Sequence, residues 1–348
     1  MAAARRRALR PERNCDNPWQ AGTLEWLPTG NYGTRSIPQV DSRDPLWQRP
    51  TLAAEVAAGQ HWLPGSLTGS RETLVTSALH ARPLHLLVLP GDSWLPLLAG
   101  LGTAGFFLLL TVKWIALGCA FGAAGLAAML AWLWQTDRAV SPRTAQVADA
   151  CSLPIGTTGL RSHSWWATLV LVVVDASIFA SFLFAHLHVS MLASVCPPPG
   201  ARLPDGGAIV GAIAMALVSA LLMGLLARRR TGKRPLHGRI VFAMLLTLAF
   251  GLAAAAWASG WVAHEAAGLS PRANAWSATV AALLAWQGFH VAVLAVMALY
   301  LLARRFSGRL TAGNRATLDN IALFWHYTLL QGALALAVVQ WLPEVLAP

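Results

Sequence analysis

Seven long apolar runs follow Trp94, at roughly 94–112, 114–134, 165–187, 207–227, 240–262, 276–303 and 321–342, and they decide what this chain can fold into. Crossing the hydrocarbon core of a bilayer takes about 20 residues of helix. Inside that core there is no water to satisfy backbone groups, so only helices and closed barrels span it. None of the seven runs shows the period-two alternation of a barrel strand. The expected fold is therefore all-α: a polytopic membrane protein built as a bundle of seven transmembrane helices. Composition agrees, since 56% of the residues are hydrophobic and only 12% charged, too apolar a balance for an ordinary soluble globule. Glycine and alanine recur within the runs, as at 118–128 and 251–256, which permits close helix packing in lipid. Tryptophans such as Trp94, Trp114, Trp132, Trp165, Trp261, Trp276 and Trp341 mark run ends, as in interfacial aromatic belts.

The formal charge of +11 could indicate nucleic acid as a partner, but the basic residues sit in short clusters between uncharged runs, not on one face of a folded domain. No nucleic-acid partner is expected, and the charge reads as topology. Ten Lys and Arg fall before the first span, three after the second, six after the fourth and four after the sixth, leaving Lys113, Arg202 and Arg272 on the other side. Positive loops stay cytoplasmic, so the N-terminus is expected inside and the C-terminus outside. Residues 1–92 hold no run long enough to cross, Leu84–Leu89 being too brief. Breakers at Pro18, Pro28, Gly30, Gly33, Pro38 and Pro45 mark this segment as an extended extramembrane arm, ahead of a membrane domain at 93–348. Met1–Arg10 is rich in Ala and Arg but no apolar core follows it, so no cleaved signal is expected. The four cysteines are scattered singly, which supports neither a disulfide framework nor a thiolate metal site.

Polar groups inside the spans are the candidate functional residues. A carboxylate at mid-span costs ~3 kcal/mol on the insertion scale, so Asp175 has either a proton-linked role or the task of holding helices together. The first is favoured because intramembrane acids mark active pathways. His186, eleven residues on, falls on nearly the same side of the helix, about 16 Å away along the axis and out of direct contact. His290 and His326 are each alone on their spans, and lone histidines in a bundle are more often packed than metal-binding. No metal site is expected. Gln287 and Gln331, beside Gly288 and Gly332, read as interhelical hydrogen bonders, with a functional role in a pore as the minority reading. Arg228, Arg229 and Arg230 open a topogenic cluster that can also hold anionic lipid headgroups.

A family likeness runs through these residues. Asn17–Trp26, reading NPWQAGTLEW, and Ser42–Trp47, reading SRDPLW, resemble the cytoplasmic C-terminal tail of cytochrome c oxidase subunit I. The stretch from Arg71-Glu-Thr-Leu-Val-Thr76 to Leu89-Pro90-Gly91 resembles the linker of oxidases in which subunits I and III are fused. The seven spans resemble subunit III. Val174-Asp-Ala-Ser-Ile-Phe-Ala180 is similar to the family's third helix, with Asp175 in place of a buried glutamate. Gln287-Gly-Phe-His-Val291 looks like the sixth-helix pattern, with His290 at its histidine. Asp319–Tyr327, ending Phe324-Trp-His-Tyr327, is similar to the start of the last helix, with Asp319 at a family glutamate and Trp325-His326 matching outright. Leu329 stands where the family usually has aspartate.

The resemblance implies a cofactor-free, non-catalytic subunit of an aerobic respiratory oxidase in a bacterial cell membrane. It implies two helices set apart from five, with phospholipid bound in the cleft between the groups. Subunit I is the implied main partner, with subunit II in the complex and haem and copper held by those partners. Proton uptake and enzyme longevity are the implied contributions of this chain. The alternatives are the accessory subunit of a quinol oxidase or nitric oxide reductase, and an independent membrane transporter. A seven-helix retinal protein would need a lysine in the last span, and there is none beyond Lys233.

Overall fold

The computed structural model describes residues 17–27, 36–61, 63, 71–89, 91–136, 144–148, 151–157, 162–199, 201–229, 236–311 and 314–346. Its seven long helices are α1 (Leu95–Thr111), α2 (Ile115–Thr136), α3 (His163–Leu192), α4 (Gly206–Arg228), α5 (Leu236–Ala266), α6 (Ala275–Phe306) and α7 (Ala316–Leu346). Six of them, α2 to α7, are long and apolar enough to cross a membrane, while α1 is apolar but has 17 residues, a length of about 25 Å. The chain is a helical membrane protein. Its contacts divide it into two compact units, Met1–Thr157 and Thr158–Pro348, so that α1 and α2 belong to the first and α3 to α7 to the second.

Local chemistry sets the helix ends. Ser162 caps α3 by accepting from Trp165 N at 3.1 Å, Asp205 caps α4 by accepting from Ala208 N at 3.0 Å, and Asn274 caps α6 by accepting from Ser277 N at 2.8 Å. These caps satisfy first-turn N–H groups that the helix itself leaves open. They lie outside the apolar runs, which is why α3 begins two residues before the run at 165–187; it also ends five residues after that run.

In the first unit, α1 and α2 form a tight hairpin through Val112–Trp114, with Lys113 at φ 63°. Their axes approach closely at Gly102 and Gly125: a Cβ on Gly102 would lie 2.5 Å from Gly125 Cα. The arm is not uniformly extended. Strands β1 (Arg71–Thr76) and β2 (Pro83–Leu89) pair antiparallel, and β3 (Thr144–Ala148) pairs with β4 (Cys151–Pro154) in the segment after α2. Gly156 N donates to Leu86 O at 2.8 Å, and Leu63, Leu86 and Ala145 close a small core between the hairpins. Earlier in the arm, helical turns at Pro45–Gln48 and Leu52–Ala57 bury Leu27, Leu52 and Val56 together. The all-α bundle thus carries two short hairpins outside its helices. Leu84–Leu89, too short to cross, is most of a strand.

In the second unit α7 packs against each of the other four helices and is the most buried of them. Trp325, fully buried, donates from Nε1 to Ser219 Oγ of α4 at 3.1 Å. Ser219 in turn donates to Ala249 O of α5 at 2.6 Å, so one indole ties three helices. Helix α3 turns Val170, Leu171, Val173 and Val174 outward, a surface that lipid solvates without penalty.

Candidate functional site

Three polar side chains from three helices meet halfway along the second unit. Asp175 is the thirteenth of the 30 residues of α3, His290 the sixteenth of the 32 of α6, and Tyr327 the twelfth of the 31 of α7. Asp175 Oδ2 lies 3.0 Å from His290 Nε2 and accepts from the Tyr327 hydroxyl at 2.6 Å. The imidazole is boxed by aromatic rings: Phe324 stacks on it at 5.7 Å between centroids, Trp286 lies at 5.1 Å and Phe289 meets it edge-on at 5.5 Å. The His290 side chain is 1% exposed and the Asp175 side chain 16%, so the carboxylate lies nearer the surface of the unit than the imidazole.

Hydrogen-bond accounting fixes the proton inventory. His290 Nδ1 lies 2.9 Å from Trp286 O, and a carbonyl only accepts, so Nδ1 carries a hydrogen. The 3.0 Å contact of Nε2 with Asp175 Oδ2 then needs a proton on one of those two atoms. Placed on oxygen it leaves a neutral acid beside neutral imidazole; placed on nitrogen it makes a carboxylate and an imidazolium. Both arrangements hold one shared proton and are neutral as a pair. Neutrality suits the low-dielectric setting, where an unpaired charge is costly. The hydroxyl of Tyr327 completes the acceptor shell of Oδ2 from a third helix. What the arrangement can do chemically is hold one proton at mid-membrane, next to a carboxylate that reaches the surface of the unit.

The other sequence-derived candidates fall around this cluster without joining it. His186 is fully buried, with Nδ1 3.0 Å from Thr279 Oγ1, so Asp175 and His186 both turn toward α6. The offset of eleven positions from Asp175 to His186 on α3 matches that from Thr279 to His290 on α6, as two rungs of an antiparallel pair must. Gln287 donates from Nε2 to Thr328 O at 3.1 Å and accepts from Gln331 Nε2 at 3.3 Å, joining α6 to α7. Trp325 holds α4 and α5, as described above. His326 points to the exposed side, with Nδ1 bonded back to Ala322 O. Asp319 pairs with Arg315 at 2.8 Å, and Arg315 also donates to Ala227 O at the end of α4, where a cation offsets the helix dipole. Arg228 and Arg229 are exposed beside that carbonyl; Arg230 lies outside the described residues.

In the sequence Tyr327 stands out only as the last residue of the Asp319–Tyr327 stretch. Its signal is its depth: a tyrosine away from the interfacial belt must find a partner for its hydroxyl. Arg304 and Arg305, counted as topogenic charges, are 0% and 5% exposed, with their guanidiniums 5.9 Å and 5.5 Å from the Tyr300 and Phe242 ring centroids. Among the described residues no group of three or more His, Cys, Asp and Glu is placed to hold a metal ion. No protein-family model matches the sequence, and no curated protein matches it.

Proposed function

We propose that this chain is a cofactor-free third subunit of an aerobic cytochrome c oxidase, packed on subunit I with subunit II in the complex, in a bacterial cell membrane. Electrons pass through haem and copper in the partner subunits, and this chain contributes proton handling and durability to the assembly. The observation that carries the reading is the meeting of Asp175 and His290. Each belongs to a separate stretch of the sequence that resembles subunit III, and Tyr327 from a third such stretch bonds the same oxygen. The grouping of two helices apart from five supports the same reading. In this topology the N-terminal arm and the Arg-rich ends around Arg228, Arg229 and Arg315 face the cytoplasm and the C-terminus faces out. Those ends bind anionic phospholipid headgroups.

A tagged chain purified from its native membrane in mild detergent tests this. The expected result is recovery with a haem-containing subunit I and oxygen consumption driven by reduced cytochrome c. Recovery free of haem and of any oxidase subunit overturns the reading. Quinol-driven activity in place of cytochrome c-driven activity moves the chain to a different branch of respiratory oxidases.

A further inference from the structure

Residues with the smallest side chains face one another from three helices of the second unit. Ala216 of α4, Ala253 and Ala256 of α5 and Gly332 of α7 line a cavity that Leu284 and Gln287 of α6 also bound. Its volume is about 20 Å³. One water needs roughly 10–15 Å³, so the space holds about two second-row atoms and nothing much larger. Alanine has no χ angle to turn and glycine has no side chain, so the walls supplied by those positions cannot swing in to fill the gap. Gly332 is also held small by Gln287, because a Cβ there would run into the Gln287 amide. Protein interiors contain few voids of this size, and an empty one leaves its lining without contact partners on one side.

The lining offers little to a water, which makes about three hydrogen bonds when buried. Its two polar side chains are engaged elsewhere. Trp257 donates from Nε1 to Leu284 O at 2.9 Å, while Gln287 donates to Thr328 O at 3.1 Å and accepts from Gln331 at 3.3 Å. The rest of the lining is alanine, glycine and leucine, and voids with such walls stay dry and take apolar guests. We propose that this cavity binds one small apolar diatomic molecule, of the class of dioxygen. Dispersion against the alanine and leucine side chains holds it. The volume excludes an acyl chain or an aromatic ring. Trp257 and Ala333 are the half-buried members of the lining, so a gas dissolved in the hydrocarbon around the bundle enters beside them. The inference rests on the cavity and its walls, not on the oxidase reading, under which dioxygen is also what the partner subunits reduce.

Dioxygen is paramagnetic and speeds the nuclear relaxation of groups it touches, so it serves as its own probe. The full chain, with isotope-labelled alanine and leucine methyls, is placed in phosphatidylcholine nanodiscs and its relaxation compared under dioxygen and under dinitrogen at equal pressure. Ala253 and Leu284 line the cavity. Ala249, one turn away on α5, and Leu283, the adjacent residue of α6, are comparably buried and do not line it. The expected result is a several-fold larger enhancement at Ala253 and Leu284 than at Ala249 and Leu283. In Ala253→Val, whose added methyl groups occupy the space, the excess at Leu284 should be lost. Equal enhancement at all four methyls of the unaltered protein overturns the proposal, whatever the variant does. An excess at Leu284 that persists in a folded Ala253→Val overturns the assignment to this cavity. No partner subunit enters the measurement, so its outcome is separate from that of the oxidase test.

Discussion

His290 Nε2 and Asp175 Oδ2 lie 3.0 Å apart although 115 residues separate them in the chain, and this contact joins α3 to α6 at mid-membrane. Two roles are combined in it, helix docking and possession of a proton, and substitution at Asp175 separates them. Asp175→Ala strands the Tyr327 hydroxyl and His290 Nε2, and is expected to lower stability by about 1–3 kcal/mol. Asp175→Asn can set its amide nitrogen where Oδ2 lies, donating one hydrogen to His290 Nε2 and the other to the Tyr327 hydroxyl oxygen, so it keeps docking within about 1 kcal/mol while abolishing the shared proton. Unfolding of the purified chain in mixed SDS micelles should therefore rank wild type and Asp175→Asn together, well above Asp175→Ala. In the assembled enzyme both variants should slow proton uptake or shorten active life. Full activity in Asp175→Asn would confine Asp175 to packing.

Tyr327→Phe removes a single donor from Asp175 Oδ2 and leaves the ring stack around His290 in place. The expected cost is about 1 kcal/mol, typical of one hydrogen bond. If the hydroxyl acts through Asp175, the effects of Tyr327→Phe and Asp175→Ala are not additive: a double-mutant cycle should give a coupling of about 0.5–3 kcal/mol. Additive losses would assign the Tyr327 effect to its own surroundings.

The spans were legible because roughly 20 apolar residues in succession have few other solutions. Their ends were less so: the caps at Ser162, Asp205 and Asn274 are polar residues beyond the apolar runs, where hydropathy carries no signal. Sequence also gave the depth of Asp175 and His290 in their helices, and the eleven-residue spacing correctly put Asp175 and His186 on one face. Which helix that face meets depends on the arrangement of neighbours, which no single helix encodes. The burial of Arg304 and Arg305 was hidden for another reason. Basic residues at a helix end satisfy the topology rule whether their side chains lie in water or under a ring, and Tyr300 and Phe242 are what cover these two. The two hairpins, β1–β2 in the arm and β3–β4 after α2, were masked by the prolines and glycines in and beside them, among them Pro83, Pro90, Gly91, Pro154 and Gly156.

Acid should loosen the arm by a definable route. Glu55 accepts hydrogen bonds from His61 at 3.0 Å and Thr51 at 2.8 Å and pairs with Arg49 at 2.7 Å. The His61 bond, then the Thr51 bond, hold its carboxyl below the usual glutamate range. A lowered folded-state value means that the carboxylate stabilises the arm above the unfolded value of about 4.3. That contribution is lost as pH falls below it, through the folded-state value. Trp47 fluorescence is expected to shift over this window in the intact chain and to be flatter in Glu55→Gln. An unchanged acid transition in Glu55→Gln would place its cause elsewhere in the arm.

Backbone contact between α1 and α2 makes the strongest steric prediction. A Cβ on Gly102 would sit 2.5 Å from Gly125 Cα and 2.6 Å from its N, and neither atom belongs to a side chain that could rotate away. Gly102→Val therefore cannot be accommodated without α1 and α2 moving apart. The expected loss is at least the 1–3 kcal/mol that overpacking ordinarily costs. Gly100, two residues earlier on the same helix, has nothing within 4 Å of a Cβ position. Gly100→Ala should stabilise α1 by about 0.5–1 kcal/mol, because alanine loses less backbone entropy on entering a helix. Cysteines at Leu101 and Leu126 with a short bifunctional crosslinker report hairpin closure directly: crosslinking should persist in Gly100→Ala and fall in Gly102→Val. Equal crosslinking in the two would mean that α1 and α2 are not held in contact at these glycines.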